Sequence, residues 1–429
     1  MTTATERSLQ VFPAGSNGEF DLPPELSMVI SRGEGCTLWD SAGQQFFDFS
    51  MGWGSVLVGH ARPEVVRAVT RQAPGGSNFA YVTEQSLALA EELVRLSPAC
   101  EQVRFCASGT EATMYCQRLA RAYTGRPKIL KFEGAYHGAN EVGVTSLFPR
   151  DPPAFPQPDP TSGGIAHMVE RDILVAPFND LDRTRAILAE HGREVAAVIV
   201  EPLQRCTSPA PGFLDGLRAA TREAGVLLIF DEVVTGFRLA YGGAQEYYGV
   251  VPDLVAYGKA LGGGYPIGVF GGTQAIMDSV REDRMGDPLY VWVASTLGGN
   301  PVSMVAAGAA LEVFRAPGTY ERLHALGDYL RAGMRRVLDA RAVTGQIIGD
   351  GPLAQVVFSG APVRDYRDTL RADRAMGRAV MLGLFRRGIF LNPMGTKLYL
   401  SVAHDEATCD AFLDRFDGAL AEARQDQNQ

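Results

Sequence analysis

Lysine is scarce in this chain: only Lys128, Lys131, Lys259 and Lys397 occur, and arginine supplies the rest of the 40 basic residues. An arginine bias has sources unrelated to chemistry, but the scarcity cuts the candidate amine nucleophiles to four. Basic residues are also outnumbered by 49 acids, for a net charge of -9. Such a surface repels phosphate backbones and argues against nucleic acid and anionic membranes as partners. The six cysteines form no Cys-x-x-Cys pair and no His-flanked spacing, so no metal site is expected and a reducing cytosol fits best. No apolar run reaches membrane-spanning length, and residues 1–10 are polar without an apolar signal core. The expectation is a cytoplasmic protein.

What is present describes an ordinary globular enzyme: 46% hydrophobic and 21% charged residues. At 429 residues the chain is too long for one simple core, so a large and a small domain are expected. A hairpin is read at Thr37-Leu38-Trp39-Asp40 and Gln45-Phe46-Phe47-Asp48-Phe49, and a helical stripe over 84–96. Beyond it, seven short apolar runs alternate with helical stretches: 103–106, 129–132, 173–175, 197–200, 226–230, 254–257 and 268–271. This pattern predicts an α/β fold whose large domain carries a mostly parallel seven-stranded sheet, with ligands at the carboxyl ends of its strands. The expected division is a 1–55 segment contributing to the small domain, a large domain over 56–305, and a small α+β domain over 306–429. Residues 149–164 hold six prolines, too many for helix or central strand, and read either as a surface insertion or as an active-site lid.

The chemistry sits at the ends of these runs. Lys259 lies in Tyr257-Gly258-Lys259-Ala260-Leu261-Gly262-Gly263-Gly264, and Asp231 ends the run 225–230. An amine in a glycine-cleared turn and an acid at a strand tip suit pyridoxal phosphate. The amine can form a Schiff base with the aldehyde, and the carboxylate can keep the pyridine nitrogen protonated. A P-loop fails, because Ala260 follows the lysine and Asp253 occupies the first glycine position; a dinucleotide fingerprint fails on glycine spacing. Ser108-Gly109-Thr110-Glu111-Ala112 opens a helix with capping-box spacing, which reads as a plain cap or as a phosphate cup. Tyr136, in Phe132-Glu133-Gly134-Ala135-Tyr136-His137-Gly138, is the candidate platform for a planar ring, with His137 beside it. Glu201, which ends the run 197–200, can organise the site through a nearby cation or polar group.

Together these motifs resemble the class III, fold-type I pyridoxal-phosphate aminotransferases, most closely the glutamate-1-semialdehyde aminomutase-like branch. The similarity runs from Gly33-Glu34-Gly35 and Gly59-His60-Ala61-Arg62-Pro63-Glu64 to Ser401-Val402-Ala403-His404, and includes Asp231-Glu232-Val233-Val234-Thr235-Gly236-Phe237-Arg238. The resemblance implies a fold-type I transferase in which Lys259 carries the cofactor and shuttles the proton. Asp231 would pair with the ring nitrogen, Val233 would pack opposite Tyr136, and Ser108, Gly109 and Thr110 would hold the phosphate. Thr296, in Ala294-Ser295-Thr296-Leu297-Gly298-Gly299-Asn300-Pro301, would reach the phosphate of a neighbouring subunit, since family members are homodimers with shared active sites. The family also places a mobile gate near 140–164, which favours the lid.

Departures bear on the substrate. Where the aminomutase has an arginine able to face a carboxylate, this chain has the acids Glu19 and Asp21. Pro393-Met394-Gly395-Thr396-Lys397-Leu398 stands where relatives place a glutamate or an arginine switch, and Cys206 stands where the aminomutase has an asparagine. Trp53, Glu19, Asp21 and Lys397 are the expected substrate residues. The expected activity is transfer of an amino group from a glutamate-like donor to a carbonyl acceptor such as an oxidised amino sugar of aminoglycoside biosynthesis. The alternatives are an aminomutase or racemase, a β-amino acid or keto acid transaminase, and, least favoured, a non-catalytic cofactor-binding module.

Overall fold

The computed structural model describes residues 3–18 and 22–427, and its contacts divide the chain into two units. One comprises residues up to 63 together with 317–362 and 371 onward; the other comprises 64–316 and 363–370. The helix Pro301–Phe314 runs unbroken across the expected 305/306 boundary, and 363–370 belong with the sheet-bearing unit rather than with the rest of the C-terminal part.

The sheet-bearing unit contains all seven expected strands: β1 (Gln102–Cys106), β2 (Lys128–Phe132), β3 (Ile173–Ala176), β4 (Val195–Val200), β5 (Leu227–Asp231), β6 (Leu254–Tyr257) and β7 (Gly268–Gly272). Their order is β1-β7-β6-β5-β4-β2-β3. Only β7 is antiparallel to its neighbours, β1 and β6; the remaining pairs are parallel. Six strands therefore point the same way, and their carboxyl ends share one edge. β4, inside the sheet between β5 and β2, is buried at every residue, Val-Ala-Ala-Val-Ile-Val, the all-apolar pattern of a strand covered on both faces. Helix α1 (Gly109–Thr124) packs on the sheet through Ala112, Tyr115, Cys116, Leu119 and Ala120, the i, i+3, i+4, i+7, i+8 stripe of a half-buried helix. Leu119 is fully buried, and truncating it to alanine would cost about 2–5 kcal/mol.

The other unit is α+β, as expected. It holds the 37–48 hairpin in a four-stranded sheet with Ile30–Glu34 and Ile389–Phe390, a three-stranded sheet, and the long helices Thr319–Ala340, Arg374–Arg386 and Glu406–Gln427. Its core gathers Phe49, Leu330, Met334, Phe385, Phe412 and Phe416. Among the described residues no helix is long and apolar enough to cross a membrane.

Candidate active site

At the end of β1 the chain turns through Ser108 into α1. The Ser108 Oγ accepts from the Glu111 N–H at 3.2 Å, while Glu111 Oε2 accepts from the Ala107 N–H at 2.6 Å, one residue earlier than a reciprocal capping box requires. The N–H groups of Gly109 and Thr110 belong to the first turn, which has no intrahelical acceptor for them, and the N-terminal end of the dipole is there to receive an anion. The backbone is crowded. A Cβ on Gly109 would lie 2.8 Å from Val233 Cγ1, and one on Gly138 would lie 2.6 Å from Thr110 Cα. Gly258 also approaches, its would-be Cβ 3.5 Å from Gly109 Cα and from Val233 Cγ1. These contacts bring the Lys259 turn, the Ser108–Thr110 turn and Val233 to one place.

Lys259 starts a short 3₁₀ turn to Gly262 with φ +41°, a left-handed conformation that a lysine adopts only under constraint. Gly263 and Gly264 continue the turn at φ +58° and +97°, where side chains would be strained.

Asp231, at the tip of β5, is 5% exposed. Its Oδ2 lies 2.8 Å from His137 Nδ1, and its Oδ1 accepts from the Val233 N–H at 3.1 Å. Because an ionised carboxylate only accepts, His137 donates through Nδ1. His137 is itself fully buried, and its Nε2 has no partner among the described residues. The sequence placed His137 beside Tyr136 as a cofactor-binding candidate; the structure adds its bond to Asp231. Its neighbour Tyr136 donates its N–H to Glu201 Oε1 at 2.8 Å, and Glu201 Oε2 accepts from the Arg205 N–H at 3.2 Å. Glu201 thus organises the loop that carries the aromatic, through backbone amides on two chain segments.

Among the buried charged side chains that the sequence did not reveal, Lys131 and Glu232 adjoin these elements. Lys131, inside the apolar strand β2, is fully buried, and its Nζ donates to the carbonyls of Ala135, Val142, Gly143 and Thr145 at 2.5 to 3.2 Å. Burial draws its pKa down, opposed by Glu201 and, more weakly, by Asp231. The signal was available, since a lysine between Leu130 and Phe132 in a both-faces-covered strand needs a polar partner. Glu232, next to Asp231, is also fully buried; it accepts from Thr235 Oγ1 and Gln245 Nε2, and Gln245 bonds onward to Tyr257 and Ser97.

Thr296 is exposed; its carbonyl accepts from Asn78 Nδ2 at 2.9 Å, and Ser295 Oγ donates to Glu111 Oε1 at 3.2 Å, so this segment lies against the head of α1. Trp53 and Lys397 belong to the other unit. Trp53 is half-buried in a left-handed turn (φ +59°), and the Lys397 Nζ lies 4.8 Å from the Tyr399 ring centroid. Glu19 and Asp21 lie outside the described residues.

The proline-rich loop is tied down at many points. Ser146 and Asp159 exchange hydrogen bonds across its neck at 2.7 and 2.8 Å. The 363–370 segment straps its body: Arg367 forks onto Glu133 at 2.8 and 3.0 Å, donates to Pro153 O and lies 3.9 Å from the Phe155 ring, while Tyr366 Oη donates to Pro149 O.

Free N–H groups at the α1 head, a buried carboxylate at Asp231, an aromatic at Tyr136 and the amine of Lys259 are the group types that pyridoxal phosphate calls for. These residues fit pyridoxal phosphate.

The comparisons with known proteins agree on the family. The family model described as Aminotransferase class-III matches residues 22–420. A glutamate-1-semialdehyde 2,1-aminomutase of Thermomicrobium roseum is 40% identical over 428 residues, covering 96% of each chain. The crystal structure of an omega-transaminase from Sphaerobacter thermophilus superposes with a TM-score of 0.92 at 38% identity, covering 98% of this chain and 97% of that one. A beta-phenylalanine aminotransferase from Variovorax paradoxus gives a TM-score of 0.86 at 31% identity, over 97% and 92% of the two chains.

Proposed function

The chain belongs to the class III aminotransferase family, enzymes of fold type I that use pyridoxal phosphate, and from that premise we propose that it moves amino groups between separate small carboxylate-bearing molecules, an amino donor and a keto-acid acceptor. The observation that carries the reading is the buried His137–Asp231 pair, with the Lys259 turn meeting the Ser108–Thr110 turn and Val233 beside it.

When bound, pyridoxal phosphate supplies an aldehyde that captures amines and a ring that withdraws electrons from the bond being broken. The protein does the rest. Ser108, Gly109 and Thr110 hold the phosphate at the head of α1. Asp231, kept in place by His137 Nδ1, favours a proton on the ring nitrogen. Val233 and Tyr136 fix the plane of the ring. Lys259 would hold the cofactor through its Nζ, and the same amine would take up and return the proton. Lys397 and Trp53 remain the proposed substrate contacts, and Thr296 the proposed contact to a partner subunit's phosphate. A homodimer is supported by the exposed Phe79, Tyr81, Val82, Trp292 and Leu297, in the segments joined by the Asn78–Thr296 bond. Six free, buried cysteines are in keeping with a cytoplasmic home.

A second reading, the intramolecular aminomutase, is favoured by the 40% identity to the Thermomicrobium roseum enzyme. Against it stand Cys206 and the acids Glu19 and Asp21 in the sequence. The amino-sugar acceptor is not carried forward, because Glu19 and Asp21 lie outside the described residues and none of the three relatives above is described by such a substrate. Single-turnover mixing with a donor panel, followed by addition of acceptors, tests the reading: turnover should require both partners, and product formed from one substrate alone would put the aminomutase in its place.

A further inference from the structure

We propose that Lys131 is a positioning residue for this centre: its ammonium gathers the 135–145 turn and through it sets Tyr136 and His137 against Asp231. The proposal rests on the amino-transfer reading.

Four carbonyl oxygens, those of Ala135, Val142, Gly143 and Thr145, converge on the Lys131 Nζ in a fully buried pocket. That is how a protein holds a desolvated monovalent cation, and here the cation is covalently part of β2. A methionine would fill the same volume in a strand whose neighbours are Ile129, Leu130 and Phe132, so volume does not explain the lysine; charge and donors do. Without it, four carbonyl dipoles would face one another in a dry interior, and the turn would open to separate them.

The consequence reaches the site directly. Gly143 O, one of the four acceptors, also accepts from the His137 N–H at 3.4 Å. Asn140 closes the same turn, donating through Nδ2 to His137 O at 3.1 Å and accepting from the Gly143 N–H at 2.9 Å, and Thr113 Oγ1 anchors His137 O at 2.6 Å. His137 in turn holds Asp231. The charge of Lys131 also acts within the same group of ions: Glu201 and Asp231 attract it and Arg205 repels it.

Geometry and charge separate in two variants of the full-length protein, Lys131→Met and Asn140→Ala, titrated with pyridoxal phosphate by fluorescence and then, as holoenzymes, by the pH midpoint of the cofactor's visible absorption. Lys131→Met should weaken cofactor binding by roughly tenfold and raise the midpoint by about 0.5 to 1 unit, because removing a buried positive charge favours the protonated chromophore. Asn140→Ala loosens the turn but leaves the charge, so it should weaken binding by about threefold with the midpoint unmoved. A purely structural lysine would lower thermal stability and leave the midpoint alone. A folded Lys131→Met protein with wild-type affinity and midpoint overturns the proposal. If that variant does not fold, Lys131→Gln, which keeps two N–H donors without the charge, decides: weakened binding with a raised midpoint upholds the proposal, and wild-type binding and midpoint overturn it. Failure of the wild-type protein to bind pyridoxal phosphate would instead overturn the amino-transfer reading.

Discussion

Replacing His137 with phenylalanine removes the side-chain donor that holds Asp231 and little else. The two rings are similar in size, the site is fully buried, and the His137 Nε2 has no partner among the described residues, so losing it relieves a desolvated polar atom. What disappears is the 2.8 Å bond from Nδ1 to Oδ2, leaving the Val233 N–H at 3.1 Å. A hydrogen bond to a charged acceptor contributes about 1.5–3 kcal/mol, or a factor of about 10 to 150 in an equilibrium or rate. The loss falls on the carboxylate's readiness to face a protonated ring nitrogen, so it should appear in cofactor affinity and in kcat/KM. The thermal midpoint should move little, since the relieved Nε2 offsets part of the lost bond. Cofactor titration and steady-state kinetics of His137→Phe against wild type measure both. If kcat/KM and the cofactor Kd stay within about twofold of wild type in a folded protein, the bond is ornamental and the role given to His137 is wrong.

Further outcomes are expected. Lys259→Ala should abolish turnover yet still bind pyridoxal phosphate noncovalently through the α1 head, as equilibrium dialysis would show; turnover like wild type would end the assignment. Gly268→Ala places a Cβ 2.1 Å from Ser108 O, which only a backbone shift can relieve, so both stability and cofactor affinity should drop, and a wild-type affinity would contradict the crowding seen at Ser108. Two buried groups should give opposite pH slopes of stability. Burial raises the Glu232 pKa to about 7, so the folded state binds the extra proton between about pH 4.5 and 7 and stability falls by about 3 kcal/mol as pH rises; Glu232→Gln removes that slope. Burial lowers the His404 pKa to about 4, with Nε2 donating to Asp48 O and Nδ1 accepting from the Ser401 N–H, so stability is lost by about 3 kcal/mol as pH falls from 6.5 to 4, and His404→Asn removes that slope. The two slopes oppose each other over pH 4.5–6.5 in the wild-type protein, and urea midpoints of the single variants should expose each; unchanged slopes would refute the buried-charge account.

The seven strands, the α1 cap and the places of Asp231 and Lys259 at strand ends were legible from the chain alone, because each rests on local physics. An all-apolar run such as 195–200 has one economical fate, a glycine at 125 ends a helix in the left-handed conformation it alone adopts freely, and an acid or a lysine at a strand tip is placed there by the alternation of strands and helices. Partnerships across the sheet were not legible. His137 meets Asp231, 94 positions away, only because β2 and β5 flank the same strand, β4, and end on the same edge. Gly268 presses on Ser108 only because β7 alone runs backward beside β1. Lys131 finds its four carbonyls in a turn whose shape no propensity predicts, and 363–370 leave their neighbours in sequence to strap the proline-rich loop. Composition and periodicity set which faces are buried; strand order, a property of the whole folded chain, decides which buried polar groups meet.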